Sequence, residues 1–369
     1  MNLIISTCGT SVLTNLADES TRKLVNQYAN EHDLSTIPSE HQQALKDLIQ
    51  KAKEKLLQSD IKTAKRASAE LNGILSISKD QTPLDQKDVY VLIHTDTQLG
   101  TDAAKLIQAK LESYGVIPQL EPAESLTTRS RQSFDKGLRH LVDWAARTLP
   151  GYRANKYHII FNLVGGFKSV QGFMQTLGMF YADEIVYIFE SGSELLRIPR
   201  LPVDLNSAAQ EIMRAHARLF RRLAVLGPQP DEENLHNIPE SMLERVDDLV
   251  DLSPWGKLIW EAFRPELYSQ RLLDSPSDRI RFETSFEKDV RNLPKDRYAI
   301  LNERIDDLMM CLENQVHLDR LDIKPLKNKD VFWPSTHEAD AWADADCRRI
   351  FFHYESGVAE LDRLIPALH

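Results

Sequence analysis

Residues 156–169 read KYHIIFNLVGGFKS, an apolar run that stops at two adjacent glycines and continues into a lysine and a serine. The run predicts a short buried strand, and the glycines fall where that strand would end. Their spacing does not fit the G-x-x-x-x-G-K-[ST] phosphate loop. Backbone N–H groups in a Gly-Gly turn can nevertheless point into one concavity and bind an anion. We therefore expect an anion-binding loop built from Gly165, Gly166, Lys168 and Ser169.

The rest of the first two hundred residues alternates predicted strands with predicted helices. NLIIST and DVYVLIH are typical of strands, and EIVYIFESGSELLRI of an antiparallel hairpin. Such alternation favours a mainly parallel sheet covered on both faces, with ligands bound at the carboxyl ends of the strands. Two more polar loops, CGTS and TDTQLG, follow predicted strands. Their hydroxyl groups are candidates for hydrogen bonds to sugar or phosphate oxygens: Thr10, Ser11, Thr95 and Thr97.

The composition is typical of a soluble globular protein, and its charge is acidic. The 369 residues carry a net charge of −10, and residues 276–369 hold 14 Lys and Arg against 19 Asp and Glu. Proteins that bind nucleic acid through bulk electrostatics are normally basic, so nucleic-acid chemistry here needs a local cluster of cations or a partner that presents the strand.

Cys8, Cys311 and Cys347 form no C-x-x-C pattern and predict reduced thiols without a metal site. No apolar run approaches the roughly 20 residues of a membrane span. With no secretory signal expected either, we predict a cytoplasmic protein that does not enter a membrane.

NLVGGFKS after a buried strand and STCGTS after the first strand together resemble the CARF domain of CRISPR-associated effector proteins. The resemblance covers about residues 1–202. It implies a Rossmann-like fold, a homodimer, and binding of cyclic oligoadenylate, with cyclic tetra-adenylate favoured, across the dimer at these strand ends. By position, Thr10 and Ser11 match the first loop, and the second loop is matched by Asn162, Gly165, Gly166, Lys168 and Ser169. Val164 stands where family members often have Thr or Ser. Some members also cleave the ring slowly, and the sequence leaves that activity open.

Beyond residue 202 the pattern changes. Residues 203–275 predict a helical linker, including a helix over residues 239–252, PESMLERVDDLVDL. Residues 276–369 predict a strand, two helices and a small antiparallel sheet, which together form an α+β domain. This order, with the basic KPLK segment and an arginine on a central strand, resembles the RelE/ParE toxin family. The resemblance implies an endoribonuclease that cuts mRNA in the ribosome without a metal or other cofactor. The ribose 2′-OH would attack the adjacent phosphate.

The same resemblance implies the catalytic residues. Arg349 matches the arginine of the family's central strand and would stabilise transition-state charge. His337 on the preceding strand and His369 at the chain end would share the proton transfers, with base and acid left unassigned. Lys324 and Lys327 would position phosphates. Plainer interpretations stay open, because the lysines could lie in a solvated turn and the arginine could pair with a nearby aspartate.

Two other functions compete with this prediction. Arg348 and His353 form an R-x4-H pattern that resembles the HEPN ribonuclease motif, which needs a helix. RRIFFHY instead predicts a strand, in which these two side chains point to opposite faces and His353 only covers a sheet face. A ligand-controlled transcriptional regulator would need a basic winged helix, which the acidic balance and the predicted strands oppose. We therefore predict a dimeric CRISPR effector in which cyclic oligoadenylate activates a RelE-like endoribonuclease that acts on ribosomes.

Overall fold

The computed structural model of the protein describes residues 1–127, 129–166, 168–189, 194–202, 205–231, 235, 237–326 and 334–366, with Lys168 described by its backbone alone. The chain divides into two compact units, Met1–Asp204 and Leu205–His369. This division falls close to the domain boundary predicted after residue 202.

The first unit alternates strands and helices. Its elements are β1 (Asn2–Cys8), α1 (Ser11–Thr14), α2 (Glu19–Gln27), α3 (Ser39–Gln58), α4 (Ile61–Ala67), α5 (Ala69–Ile77), β2 (Val89–Thr95), α6 (Gln98–Ser113), β3 (Gln119–Ala123), α7 (Arg131–Ala154), β4 (His158–Asn162), α8 (Lys168–Tyr181), β5 (Glu184–Ile188) and β6 (Leu195–Pro199).

These strands form one sheet in the order β3-β2-β1-β4-β5-β6. All neighbours are parallel except β6, which runs antiparallel to β5. Residues 3–8 of β1 are all buried, as expected for a central strand covered on both faces. The predicted mainly parallel α/β sheet and the hairpin at its end are confirmed. Parallel strands place their carboxyl ends at one edge, so the loops after β1, β2 and β4 lie side by side.

The second unit begins with helices and ends with strands. Its elements are α9 (Ser207–Ala215), α10 (Ala217–Leu226), β7 (Gln229–Pro230), β8 (Leu243–Val246), β9 (Leu249–Leu252), α11 (Pro254–Gln270), β10 (Ile280–Phe282), α12 (Thr284–Val290), α13 (Lys295–Asn314), β11 (Lys324–Pro325), β12 (His337–Trp342), β13 (Arg348–Glu355) and β14 (Val358–Pro366).

Five strands of this unit form a sheet in the order β10-β14-β13-β12-β11. Only the β10–β14 pair is parallel. One face, here named the core face, packs Ile350 and Phe352 against Phe286 of α12 and Leu308 of α13. The opposite face, here named the outer face, carries the alternate residues of β13. The predicted α+β architecture of a strand, two helices and an antiparallel sheet is confirmed.

The segment predicted as a helical linker contains strands as well as helices. Residues 239–252 do not form the predicted helix, so that prediction is wrong. They instead contribute β8 and β9, which pair in a hairpin within a sheet of order β7-β9-β8. Val250 and Leu252 are buried two residues apart, which is strand spacing, and Asp247 turns the chain with a φ of 55°. Aspartate tolerates this left-handed conformation better than most residues, and it can close a two-residue hairpin.

Candidate functional site

The first candidate site lies where β1 and β4 end. The two following loops approach so closely that a Cβ on Gly9 would lie 3.3 Å from the Cα of Gly166. Thr7 Oγ1 donates a hydrogen bond to the carbonyl oxygen of Gly165 at 2.7 Å and ties the loops together. Gly166 has a φ of +100°, and a Cβ there would lie 2.7 Å from Thr7 Oγ1. This close approach therefore requires glycine at 166.

A buried carboxylate organises the same edge. Glu70, at the start of α5, is fully buried. Its Oε1 accepts a hydrogen bond from the Gly9 N–H at 2.9 Å, and its Oε2 accepts from Ser11 Oγ and Ser68 Oγ, each at 2.7 Å. A Cβ on Gly165 would lie 2.4 Å from Glu70 Oε1. Glu70 therefore accepts hydrogen bonds from the first loop and packs directly against Gly165 of the second loop.

Sequence reasoning missed Glu70. The available indication was a lone acid in the apolar segment AELNGIL, which begins α5. Its charge also affects a neighbour: burial, and secondarily Glu70, raise the pKa of the Cys8 thiol well above its ordinary value. Cys8 is therefore a protonated core residue in this arrangement.

Three of the predicted ligand-binding residues are buried and engaged inside the protein. Asn162 Nδ2 donates to Ser6 Oγ at 2.9 Å and to the backbone oxygen of Glu70 at 3.1 Å. Thr95 Oγ1 and Thr97 Oγ1 lie 2.9 Å apart, and Thr97 accepts from the backbone N–H of Gly100 as the N-cap of α6. In this conformation they shape the loops and do not present free groups to a ligand.

Other predicted ligand-binding residues do reach the surface. Thr10 and Gly166 are partly exposed, and Ser169 is exposed in the first turn of α8. Thr10 makes no side-chain capping bond to α1. The side chain of Lys168 lies outside the described residues. The N-terminus of α8, a helix of 14 residues, attracts anions, so the exposed edge of the site suits a phosphate.

The second candidate site surrounds Arg349 on the outer face of the second unit. Its guanidinium contacts three carboxylates, Glu338 at 2.7 Å, Asp340 at 2.8 Å and Asp322 at 3.2 Å. Burial works against its charge, but Asp340 and Glu338 outweigh that cost and raise the pKa of Arg349. Lys324 lies 2.7 Å from Asp322 and lowers the pKa of that carboxyl chiefly through a hydrogen bond. Three acids thus outnumber two bases, and Arg349 is neutralised.

The structure does not bring His337 together with Arg349. His337 stacks on Phe352 with ring centroids 5.5 Å apart and meets the edge of Tyr354 at 5.1 Å, which places it on the core-face side of the sheet edge. Glu338, the next residue along β12, points to the outer face and contacts Arg349. This arrangement therefore does not support His337 as the base or acid of an Arg349 site. The predicted residues Lys327 and His369 lie outside the described residues.

The R-x4-H pattern lies on β13, so the prediction that this run is a strand is confirmed. Arg348 contacts Asp346 at 3.3 Å and lies near the ring of Trp342. His353 lies on the other face of the strand and contacts Asp362. The two side chains therefore do not form the shared helical site that a HEPN nuclease needs.

The described residues also bear on membrane-spanning segments and metal sites. None of the described helices is both long and apolar enough to cross a membrane. In the same part of the chain, no group of three or more His, Cys, Asp or Glu side chains is placed to hold a metal ion.

A family model matches part of the chain. Residues 65–201 match the family model described as CRISPR-associated protein (Cas_APE2256). The matched stretch runs from the end of α4 to just beyond β6 and includes the Gly165–Gly166 loop. No curated protein matches the chain. The family match supports a CRISPR-associated protein.

Proposed function

We propose that this protein is a cyclic oligoadenylate-activated, metal-independent endoribonuclease of CRISPR defence, which cuts mRNA on the ribosome and so inhibits translation. The observation that carries the proposal is the family match of residues 65–201, because it extends well beyond the short motifs that first suggested this function. The proposal adds the ligand, the reaction and the cytoplasmic ribosome as its setting.

The ligand site would be the joined loops after β1 and β4. A cyclic oligoadenylate carries phosphates and riboses around a ring, so two copies of the same loop pair suit it better than one. The exposed Thr10, Gly166 and Ser169 would contact the ring from each subunit of a homodimer. Glu70 already holds the donors of Gly9 and Ser11, so its role would be to set loop shape.

The ribonuclease site would be the outer face of the second unit. In the reaction, the ribose 2′-oxygen attacks the adjacent phosphorus while its proton moves to a base, and the P–O5′ bond breaks as O5′ gains a proton. Arg349, assisted by Lys324, would stabilise the growing phosphorane charge. In the conformation described here, Arg349 is occupied by Asp322, Glu338 and Asp340, which would make it the inactive state.

Activation would then release Arg349 from these carboxylates. A ligand shifts such an equilibrium only through higher affinity for the active arrangement. The acidic surroundings would also repel free RNA and make cleavage depend on mRNA that the ribosome presents.

One rival gains some support from the β7-β9-β8 sheet, since a hairpin beside a short strand is a feature of winged helices. A DNA-reading helix would have to lie between β7 and β8. Residues 231, 235 and 237–242, the described part of that connection, contain no helix. We therefore keep the ribonuclease as the proposed function.

Translating ribosomes programmed with a defined mRNA test the proposal, with and without cyclic tetra-adenylate or cyclic hexa-adenylate. We expect cleavage by the wild type only with a cyclic ligand, and a loss of about 100-fold or more in Arg349→Ala. Arg348→Ala, the matched control on the other face of β13, should cut normally. Absence of ligand-dependent cleavage by the wild type would overturn the proposal, and strong cutting of naked RNA at physiological salt would remove the ribosome from it.

A further inference from the structure

A histidine and an aspartate are paired on the outer face, on the neighbouring strands β13 and β14. His353 Nδ1 lies 3.0 and 3.1 Å from the two carboxylate oxygens of Asp362. The side chain of Asp362 is 4% exposed, whereas that of His353 is 21% exposed. The aspartate is therefore buried behind a histidine that still reaches solvent.

Asp362 is held from several directions. The β13–β14 register pairs Phe351 with Arg363 and Phe352 with Leu361, so Asp362 is the extra residue of a bulge. Ser335 Oγ, itself buried, donates to Asp362 Oδ2 at 2.7 Å, and Ser285 Oγ donates to the Asp362 backbone oxygen at 2.8 Å. Bulges re-aim side chains and occur often next to active sites. Here the bulge directs a fixed carboxylate at one nitrogen of His353.

This contact determines the chemistry of the imidazole. An ionised carboxylate only accepts hydrogen bonds, so Nδ1 must carry the proton that faces Asp362. Neutral His353 then keeps the lone pair of Nε2 for an incoming proton. In the Ser-His-Asp triad a buried carboxylate likewise orients a histidine that transfers protons.

The neighbouring charged groups of the outer face have partners of their own and leave proton transfer to His353. Its cross-strand partner Glu360 is 3.2 Å from Arg281 of β10, which is largely exposed, so that acid has its own cation. Arg349 lies four residues earlier on the same face of β13, about 13 Å away along the strand. Arg281 and Arg349 therefore lie on two sides of His353, each paired with carboxylates in this conformation.

We infer that His353, oriented by Asp362, is the general base of this unit. The inference rests on the proposed ribonuclease function and replaces His337 in that role. His353 Nε2 takes the 2′-OH proton as O2′ bonds to phosphorus. The P–O5′ bond then breaks, O5′ takes a proton from water, and His353 returns its proton to solvent. The products are a 2′,3′-cyclic phosphate and a 5′-hydroxyl. His353 is the catalytic residue, and Asp362 is a positioning residue.

The test uses the full-length protein, translating ribosomes and cyclic tetra-adenylate, and measures kcat and KM for mRNA cleavage. General base catalysis contributes about 10²–10⁴-fold, so we expect a loss of that size in His353→Ala. Added imidazole should restore part of the rate in this variant. Asp362→Asn should lower kcat with little change in KM, without imidazole rescue. His317→Ala is the matched control, because His317 also faces an aspartate, Asp319 at 3.3 Å, but both are well exposed.

The outcomes distinguish failure of the inference on His353 from failure of the proposed ribonuclease function. A large loss in His353→Ala with imidazole rescue and a normal His317→Ala supports the inference. Wild-type cleavage with an equally active His353→Ala overturns the inference alone, and so does a loss that imidazole does not relieve in a folded variant. If His353→Ala does not fold, a fully active His353→Gln overturns the inference in the same way. Absence of cleavage by the wild type with every cyclic ligand overturns the proposed function and this inference together.

Discussion

Replacing Asp306 with alanine would break a buried ion pair between α10 and α13. Arg221 is fully buried, and its Nε lies 2.7 Å from Asp306 Oδ1. Arg221 also donates to the backbone oxygens of Asp274 at 2.7 Å and Asn302 at 3.3 Å, and Tyr268 Oη donates to Asp306. Asp306→Ala would thus leave a buried guanidinium without its counter-charge.

The cost follows from this burial. Removing one partner of a buried ion pair typically costs about 3–5 kcal/mol, because the remaining charge stays desolvated. The second unit spans Leu205–His369. For units of this size each kcal/mol lowers Tm by roughly 2–4 °C, so a loss of about 4 kcal/mol predicts a fall of about 8–16 °C.

Urea unfolding followed by tryptophan fluorescence measures the effect, since Trp260 is buried and its ring lies 6.1 Å from that of Tyr268. Asp278→Ala is the matched control, because its exposed pair with Arg218 at 2.6 Å should contribute at most about 1 kcal/mol. Substituting Arg221, Tyr268 and Asp306 together by Met, Phe and Leu should recover most of the loss, because no buried charge remains.

Two results would refute this reasoning. One is a loss in Asp306→Ala no larger than that in Asp278→Ala. The other is a triple variant as unstable as the single one. A single unfolding transition in the wild type would further show that α10 and α13 unfold together, which a freely attached linker would not do.

Three further predictions follow from single contacts. Burial lowers the pKa of His94, so as pH falls this histidine takes up a proton in the unfolded chain before it does in the folded protein. The free energy of unfolding should therefore fall as pH drops below about 6.5. In His94→Gln the urea midpoint should change less between pH 8 and 5 than in the wild type. Gly166→Ala forces a left-handed alanine against Thr7 and should cost about 1–2 kcal/mol in urea unfolding and abolish cyclic tetra-adenylate binding in calorimetry. Glu338→Gln removes one carboxylate from Arg349 and should raise ligand-free mRNA cleavage up to about fivefold, as expected for about 1 kcal/mol.

Each of these has an internal control. An unchanged pH profile in His94→Gln would contradict the assignment to that histidine. Gly172→Ala, an exposed helical site with nothing within 4 Å of the added Cβ, should lower neither stability nor binding, and an equal loss there would contradict the argument for Gly166. Glu355→Gln, at an exposed site on β13, should not raise ligand-free cleavage.

The α/β architecture of the first unit was predictable because its evidence is local. Apolar runs such as YHIIF mark buried strands, and each is followed by a polar turn at its carboxyl end. The strand at RRIFFHY was predictable for the same reason, since its aromatic and apolar run ends at a Ser-Gly turn. The prediction of a helix over residues 239–252 was wrong because a short apolar pattern fits both the helical and the strand period. The Asp-Asp turn favours the hairpin.

The candidate sites were less predictable because they depend on partners distant in sequence. Glu70 reaches Gly9 and Ser11 only once α5 packs beside β1. Arg349 was identified from its position on a central strand, but its pairing with Asp322 depends on a connection 27 residues long.

The sequence by itself determined the strands, the loops at their carboxyl ends and the glycine-rich turn, because neighbouring residues carry that information. Only the tertiary structure decided which polar groups face each other. Strand register placed His337 and Arg349 on opposite faces of one sheet, and a bulge turned Asp362 toward His353. A shift of one residue moves a side chain to the other face, so the composition of the outer face follows from register and not from local pattern.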